Sequence, residues 1–434
     1  MNSLSFDFEW EDPAEAKGAE LRATWARFSI IVDHEPIIHV YDGRSRGVRK
    51  AVYLPLYPLA EWLAAHWWFL LYEVDSPGRP VGIDYARRHD LRFAREGFAI
   101  PSLLITPLGD SVRLQWQREE LPHCGVEFLR SGHAQVGWVD FKEAVTRLIQ
   151  AVTARLDESN VTDTLLADEW RAVETASKDE AAFCAAAAAL GLDPFAIEAT
   201  YAEAIIEAEK KLPPAIACEF FAAADYSTLS QQVACLDEAL NFSRSNKADL
   251  QPLKVLRSKF HKGHVQGGSP WEQGYEVARQ LRKALDLNGQ PLADVAAALR
   301  VPTDAWSNAV VTMPNPPGFF DTVIDVNSDG SPGFVLGGGR EEKRRKFALC
   351  RGIFEYLTSQ EGEPSLATRA RSDRQQRNRA FAAEFLVPAT ALRERVRGLE
   401  IGEEDIDELA AEFGVSTFVV RHQIENHGIA SVSS

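Results

Sequence analysis

Apolar residues recur along this chain at two spacings, and the change from one to the other marks its organisation. Phe141, Val145, Leu148, Ile149, Val152 and Leu156 repeat at three and four, the period that lines one face of an α-helix. Before them, SLLITPL (102–108) and SVRLQW (111–116) alternate on either side of a Gly-Asp turn, which predicts a β-hairpin. GVEFLRSG (125–132) predicts one more strand. PLAEWLAAHWWFLLY (58–72) is nearly all apolar, but it is short and carries Glu61 and His66, so a buried or half-buried helix is expected rather than a membrane span. Its aromatic stripe, Trp62, His66, Trp67, Trp68, Phe69 and Tyr72, reads as packing of that helix on a sheet. Residues 1–157 therefore read as an α+β domain.

From residue 158 the pattern turns to alanine-rich segments divided by helix punctuation. Gly191 follows one helix, Asp193-Pro194 supplies an N-cap and N1 proline for the next, and Pro213-Pro214 and Ser227 mark two more starts. A helical domain over 158–266 is expected, ending in the glycine-rich and polar stretch HKGHVQGGSP (261–270). Beyond it, WEQGYEVARQLRKALDL (271–287) places Val277, Ala278, Leu281, Ala284 and Leu285 on one helical face, and PLADVAAALRV (291–301) predicts a second, shorter helix. FDTVIDV (320–326) and GFVLG (333–337) flank NSDGSP as a hairpin, and a long helix starts near Arg340. The whole reads as a multidomain α+β chain, closed by a mostly helical domain over 267–434 with a small sheet.

Three segments of this last domain carry a family pattern. They are FALCRGIFEYL (347–357), RNRAFAAEFLVP (377–388) and IDELAAEFGVSTFVVRHQIENHGI (406–429). In this order they resemble the core of the ImmA/IrrE zinc metallopeptidases, whose first helix reads F-x-L-A-H-E-x-G-H-Y-L and whose second runs into A-A-x-L-L-x-P. Two histidines four apart share one helical face and one zinc, and the glutamate between them polarises the bound water. Here Phe347, Leu349, Tyr356 and Leu357 keep the framework. In this resemblance the first histidine position is Arg351, the glutamate is Gly352, the second histidine is Glu355, and the third, acidic ligand falls near Gln375. A guanidinium repels Zn²⁺ and glycine offers no base. Arg351 and Glu355, four apart, are expected to pair with each other.

The resemblance implies a catalytically inactive relative that works by binding, as a regulatory component in stress response, mobile-element control or phage defence. No cofactor is then expected, and a protein partner is. Zinc enters only if ligands have moved. His261 and His264, or His422 and His427, are the pairs to consider, although neither has the i, i+4 frame with an intervening Glu. DVNSDG (325–330) opens like a calcium loop, but Leu336 stands where a bidentate Glu is needed, so a hairpin turn is expected.

The net charge of −16 opposes general attraction to nucleic acid or anionic membrane. One basic stretch runs against it. Arg340, Lys343, Arg344, Arg345, Lys346 and Arg379 lie among residues 340–380, where glycines lead into a helix N-terminus, and they form a candidate anion-binding surface for a nucleotide or nucleic acid. The C-terminal pair of helices has a helix-turn-helix outline, but from residue 401 onward Arg421 is its single Lys or Arg, which favours packing over DNA reading. Cys124, Cys184, Cys218, Cys235 and Cys350 show no C-x-x-C spacing and read as small core residues. With no positive n-region at the start, the expected location is cytoplasmic.

Overall fold

The computed structural model describes residues 2–12, 16–75, 82–245, 248, 250–260, 268–313, 318–327, 329–337, 339, 341–359 and 362–433. The architecture is α+β, with small sheets among many helices. Among the described residues no helix is long and apolar enough to cross a membrane. The chain forms two compact units, Met1–Ala199 and Thr200–Ser434.

In the first unit, strand Leu4–Trp10 pairs antiparallel with Trp25–Val32, whose Ala26, Phe28, Ile30 and Val32 alternate into the core. The expected hairpin is present as Leu103–Pro107 against Ser111–Trp116. The segment 125–132 does not make one strand. Val126–Phe128 pairs with Val40–Asp42 and Glu119–Leu121, while Gly132 begins the strand Gly132–Gly137 of a different sheet. A Cβ on Gly132 would lie 2.6 Å from the Trp116 ring, so this edge accepts only glycine without a shift. Helix Trp138–Glu158 buries all six residues of the apolar stripe.

The apolar stretch 58–72 becomes two helices, Tyr57–Ala65 and Trp67–Tyr72, which divide at His66. Trp62, Trp67, Trp68 and Phe69 are buried there. The same core takes Leu166 and Trp170 from helix Leu165–Thr175, and Cys184 and Ala188 from Lys178–Ala189. Asp193-Pro194 opens a turn, in which the Asp193 carboxylate accepts the Phe195 N–H at 2.9 Å, and the next helix starts only at Ala199.

In the second unit, α1 (Pro214–Ala223) starts at its Pro-Pro signal. Ser269 and Glu272 form a capping box for α2 (Pro270–Ala284), with Pro270 in its first turn. The helix expected within 291–301 shrinks to the single turn Val295–Ala298, and Arg300 enters the left-handed region at φ 59°. The sheet is ordered β1 (Val310–Thr312), β3 (Pro332–Leu336), β2 (Phe320–Val326), β4 (Ser365–Thr368). Strands β2 and β3 form the expected hairpin, from Thr322↔Leu336 to Val326↔Pro332.

Across this sheet lies α3 (Glu342–Thr358), and α4 (Asp373–Leu386) packs on both α3 and α2. Helix α4 stops before Pro388, which then caps the short helix Ala389–Arg395. Helices α5 (Glu403–Phe413) and α6 (Thr417–Asn426) meet at Gly414, φ 63°, and send Phe413, Val415, Val420 and Ile424 into the core. The lone cation of this segment, Arg421, binds Glu403. Of the five cysteines, Cys184 and Cys350 are buried, Cys124 and Cys235 are half-buried, and Cys218 is exposed. The core reading therefore holds for two of them.

Candidate functional site

Helix α3 turns two faces to two environments, and its residues at 351, 352 and 355 divide between them. Gly352 faces the sheet. A Cβ there would lie 2.8 Å from Thr322 Cγ2 and 3.2 Å from Phe334 Cδ1, closer than packed carbons tolerate, so glycine is what lets α3 approach β2 and β3. Thr322 Oγ1 also donates to the Ala348 carbonyl at 2.6 Å, which fixes this approach by a hydrogen bond.

Arg351 and Glu355 face α4 and are buried, 1% and 2% exposed. They do not pair with each other. The Arg351 guanidinium donates to four acceptors: Asn378 Oδ1 at 2.7 Å, Gln375 Oε1 at 2.6 Å, the Thr368 carbonyl at 2.7 Å, and the Asp321 carboxylate. Glu355 instead takes Arg374, whose Nε lies 2.9 Å away, and the Asn378 amide at 2.8 Å. Asn378 thus stands between them, accepting from Arg351 and donating to Glu355. The physical reason is reach. Four residues on a helix bring two side chains near, but the planar guanidinium fork finds better-aligned acceptors on β2, β4 and α4. Burial pulls the Arg351 guanidinium down from its ordinary range, while Asp321 and Glu355 act to hold it charged.

Gln375 is fully buried and its amide is saturated. Its Oε1 accepts from Arg351, from Thr368 N–H at 2.8 Å and from Asn378 at 3.1 Å. Its Nε2 donates to the Leu366 carbonyl at 2.9 Å and to Glu219 at 2.8 Å. Glu219 belongs to α1, far upstream, and sequence reasoning missed it. Its carboxylate also accepts from Ser372, the N-cap of α4, at 2.8 and 2.9 Å. Burial raises the Glu219 carboxyl above the usual range, opposed by Arg374, Gln375 and Ser372. No local motif flags this residue, because a lone Glu in an alanine-rich helix carries no spacing signal.

A zinc ion, which the family motif implies for such a helix, does not fit this donor set. Zinc needs several free lone-pair donors around one point. Here the point is held by a guanidinium, and the Gln375 and Asn378 oxygens already accept from it. Among the described residues no group of three or more His, Cys, Asp or Glu side chains is placed to hold a metal. His261 and His264 lie outside the described residues. His422 is exposed, and His427 Nε2 lies 3.3 Å from the buried Glu384 carboxylate.

Glu384 gathers a second buried cluster. It accepts Arg279 Nε at 2.9 Å, Gln423 Nε2 at 2.9 Å and the Ala389 N–H at 3.2 Å, tying α2, α4 and α6 together. Burial works to raise its carboxyl, but the bonds from His427 and Arg279 outweigh it and hold Glu384 below the usual range.

The basic residues of the candidate anion surface do not share one environment. Arg340 lies outside the described residues. Lys346 points inward, donating to the Leu292 and Phe413 carbonyls, and burial lowers it. Arg345 is half-buried. Lys343, Arg344 and Arg379 line an open groove of about 1180 Å³, together with residues of α2 and α6. Arg344 also pairs with Glu341 at 3.2 Å. Arg379 donates to the Ala370 carbonyl at 2.5 Å, and burial followed by the neighbouring Arg351 brings it down to about 9, still cationic at neutral pH.

No curated protein matches the chain. A family profile does, over residues 322–425, from β2 through α6 and so across the helices that carry Arg351, Glu355 and Gln375. Glu219 and α2 lie outside that span. With its hairpin, long helix, second helix and closing helix pair in the order described, the matched part of the C-terminal unit is similar to the IrrE N-terminal-like domain, Peptidase_M78.

Proposed function

We propose that this chain is a non-hydrolytic IrrE-like protein that acts by binding, as a regulatory component of the kind needed in stress response, mobile-element control or phage defence. The observation that carries this reading is the Arg351 cluster. At the position of the first family histidine stands a buried cation with four acceptors, and it joins β2, β4 and α4 as a bound metal would join its ligands. Two further features support it. The glutamate position is a glycine against the sheet with no room for a side chain, and Glu219 reaches Gln375 from α1, covering this side of the site. The amide and carbonyl acceptors around Arg351 are taken, which leaves no set of free lone pairs there for a Lewis-acid metal.

The test is elemental analysis of full-length protein purified without chelators, together with mass spectrometry of protein substrates incubated with it. Substoichiometric metal and intact substrates are expected. Stoichiometric zinc that disappears on changing His422 and His427, or His261 and His264, to Ala would sink the reading in favour of relocated ligands.

A further inference from the structure

The groove beside the Arg351 cluster presents positive charge and apolar surface side by side. Its walls are α2, the first turns of α3, α4 and α6. Trp271 and Phe418 line it while 43% and 66% exposed, large apolar side chains of the kind that anchor partners. Its acids are already engaged. Glu272 accepts from Ser269 in the α2 capping box, and Asp321 accepts from Arg351. Of its five Lys and Arg residues, Arg279 pairs with Glu384 and Arg344 with Glu341, and the other three are freer. Among the described residues Lys343 and Arg369 make no ion pair, and Arg379 has only the Ala370 carbonyl. The lining therefore shows surplus positive charge beside exposed rings, on a chain of net charge −16.

We infer that this groove takes a short acidic peptide segment with one or two large apolar side chains. Carboxylates would sit on Lys343, Arg369 and Arg379, and the apolar groups on Trp271 and Phe418. A long polyanion suits it less. The groove wall at Val415–Val419 follows directly on α5, whose Glu403, Glu404, Asp405, Asp407, Glu408 and Glu412 repel a run of phosphates. A few carboxylates on a short segment stop before that field. At about 1180 Å³ the groove also exceeds the roughly 300–1,000 Å³ of ordinary small-molecule sites.

This inference rests on the binding reading of the domain, and one titration separates the two. Full-length protein is titrated with a fluorescein-labelled peptide built of Asp, Glu, Leu and Phe, with the same peptide carrying Lys for its acids, and with labelled oligothymidylate. Fluorescence polarisation reads binding, and mass spectrometry reads peptide integrity. The acidic peptide is expected to bind, to weaken with salt, and to lose about tenfold or more in affinity with Lys343→Glu/Arg369→Glu or with Phe418→Ser. All three residues are exposed, so the variants should keep the parent's circular dichroism and melting temperature. Absence of binding at low salt overturns the inference, as does unchanged affinity in both variants, or oligothymidylate that binds more tightly and displaces the peptide. Cleaved peptide overturns instead the non-hydrolytic reading.

Discussion

Replacing Arg351 by Met tests whether the guanidinium is a structural substitute for a metal. Methionine has similar length and packs flexibly, so the perturbation is mainly loss of a cation and its donors. Gln375 Oε1 keeps two donors, Thr368 N–H and Asn378. Asn378 Oδ1 and the Thr368 carbonyl lose theirs, at roughly 1–3 kcal/mol for each buried acceptor. Asp321 loses its ion pair, but its side chain is 23% exposed, so water recovers part of that cost. The sum is about 3–5 kcal/mol, in the range for breaking a buried pair from one side. Native-state hydrogen exchange by mass spectrometry reads this locally. Amides of α3 and α4 should exchange about a hundredfold to a few thousandfold faster, while strand Trp25–Val32 of the other unit keeps its rates. Arg351→Lys, a point charge without the fork, should fall between. Acceleration of less than about tenfold in Arg351→Met, under roughly 1.4 kcal/mol, would refute the cross-linking role.

Four other outcomes follow from the same geometry. Gly352→Ala should destabilise by about 1–2 kcal/mol despite the better helix propensity, because overpacking outweighs it; Thr322→Ser, which removes the crowding methyl and keeps the hydroxyl bond, should restore most of the loss in urea unfolding. Gln375→Glu should cost about 1–3 kcal/mol by deleting the donor to Glu219 and setting two carboxylates together, and Glu219→Gln should rescue it, a double-mutant cycle that additive losses would contradict. Arg351→His/Glu355→His should remain without stoichiometric zinc in isothermal titration, since Asn378, Arg374 and Gln375 still crowd the position; tight zinc binding would show that the cradle survives. Glu384 is held below the ordinary glutamate range, so its unfolded form binds more protons between the folded and unfolded values and stability rises with pH there. Its contribution is complete above the ordinary carboxylate range and is lost as pH falls through the folded value, and Glu384→Gln should flatten that acid limb of the melting-temperature profile.

Much of the C-terminal fold was legible in sequence because its signals are local. The i, i+3, i+4 apolar positions of α2 and α3, the Gly414 break and the Pro388 stop each act within a few residues. The hairpins at 103–116 and 320–336 were legible for the same reason. The strand expected at 125–132 was not one strand, since sheet membership depends on partners at 40–42 and 111–116 that no local pattern names. The helix near 291–301 shortened because tertiary contacts, not alanine content, decide short helices.

By itself the sequence showed a pattern that resembles an IrrE-like framework, and that resemblance set the expectation that Arg351, Gly352, Glu355 and Gln375 stand where the family has its metal ligands and base. It also determined that Arg351 and Glu355 share one side of a helix. Tertiary structure decided what they do there. Asp321 from β2, Thr368 from β4, Asn378 and Arg374 from α4, and Glu219 from α1 compete for the same buried groups, and each buried donor or acceptor goes to the partner that aligns best. The i, i+4 attraction on a helix surface is worth a few tenths of a kcal/mol, whereas leaving a buried polar group unpaired costs about 1–3 kcal/mol. Partners brought from distant strands and helices therefore override the nearest neighbour, and only the folded chain specifies which they are.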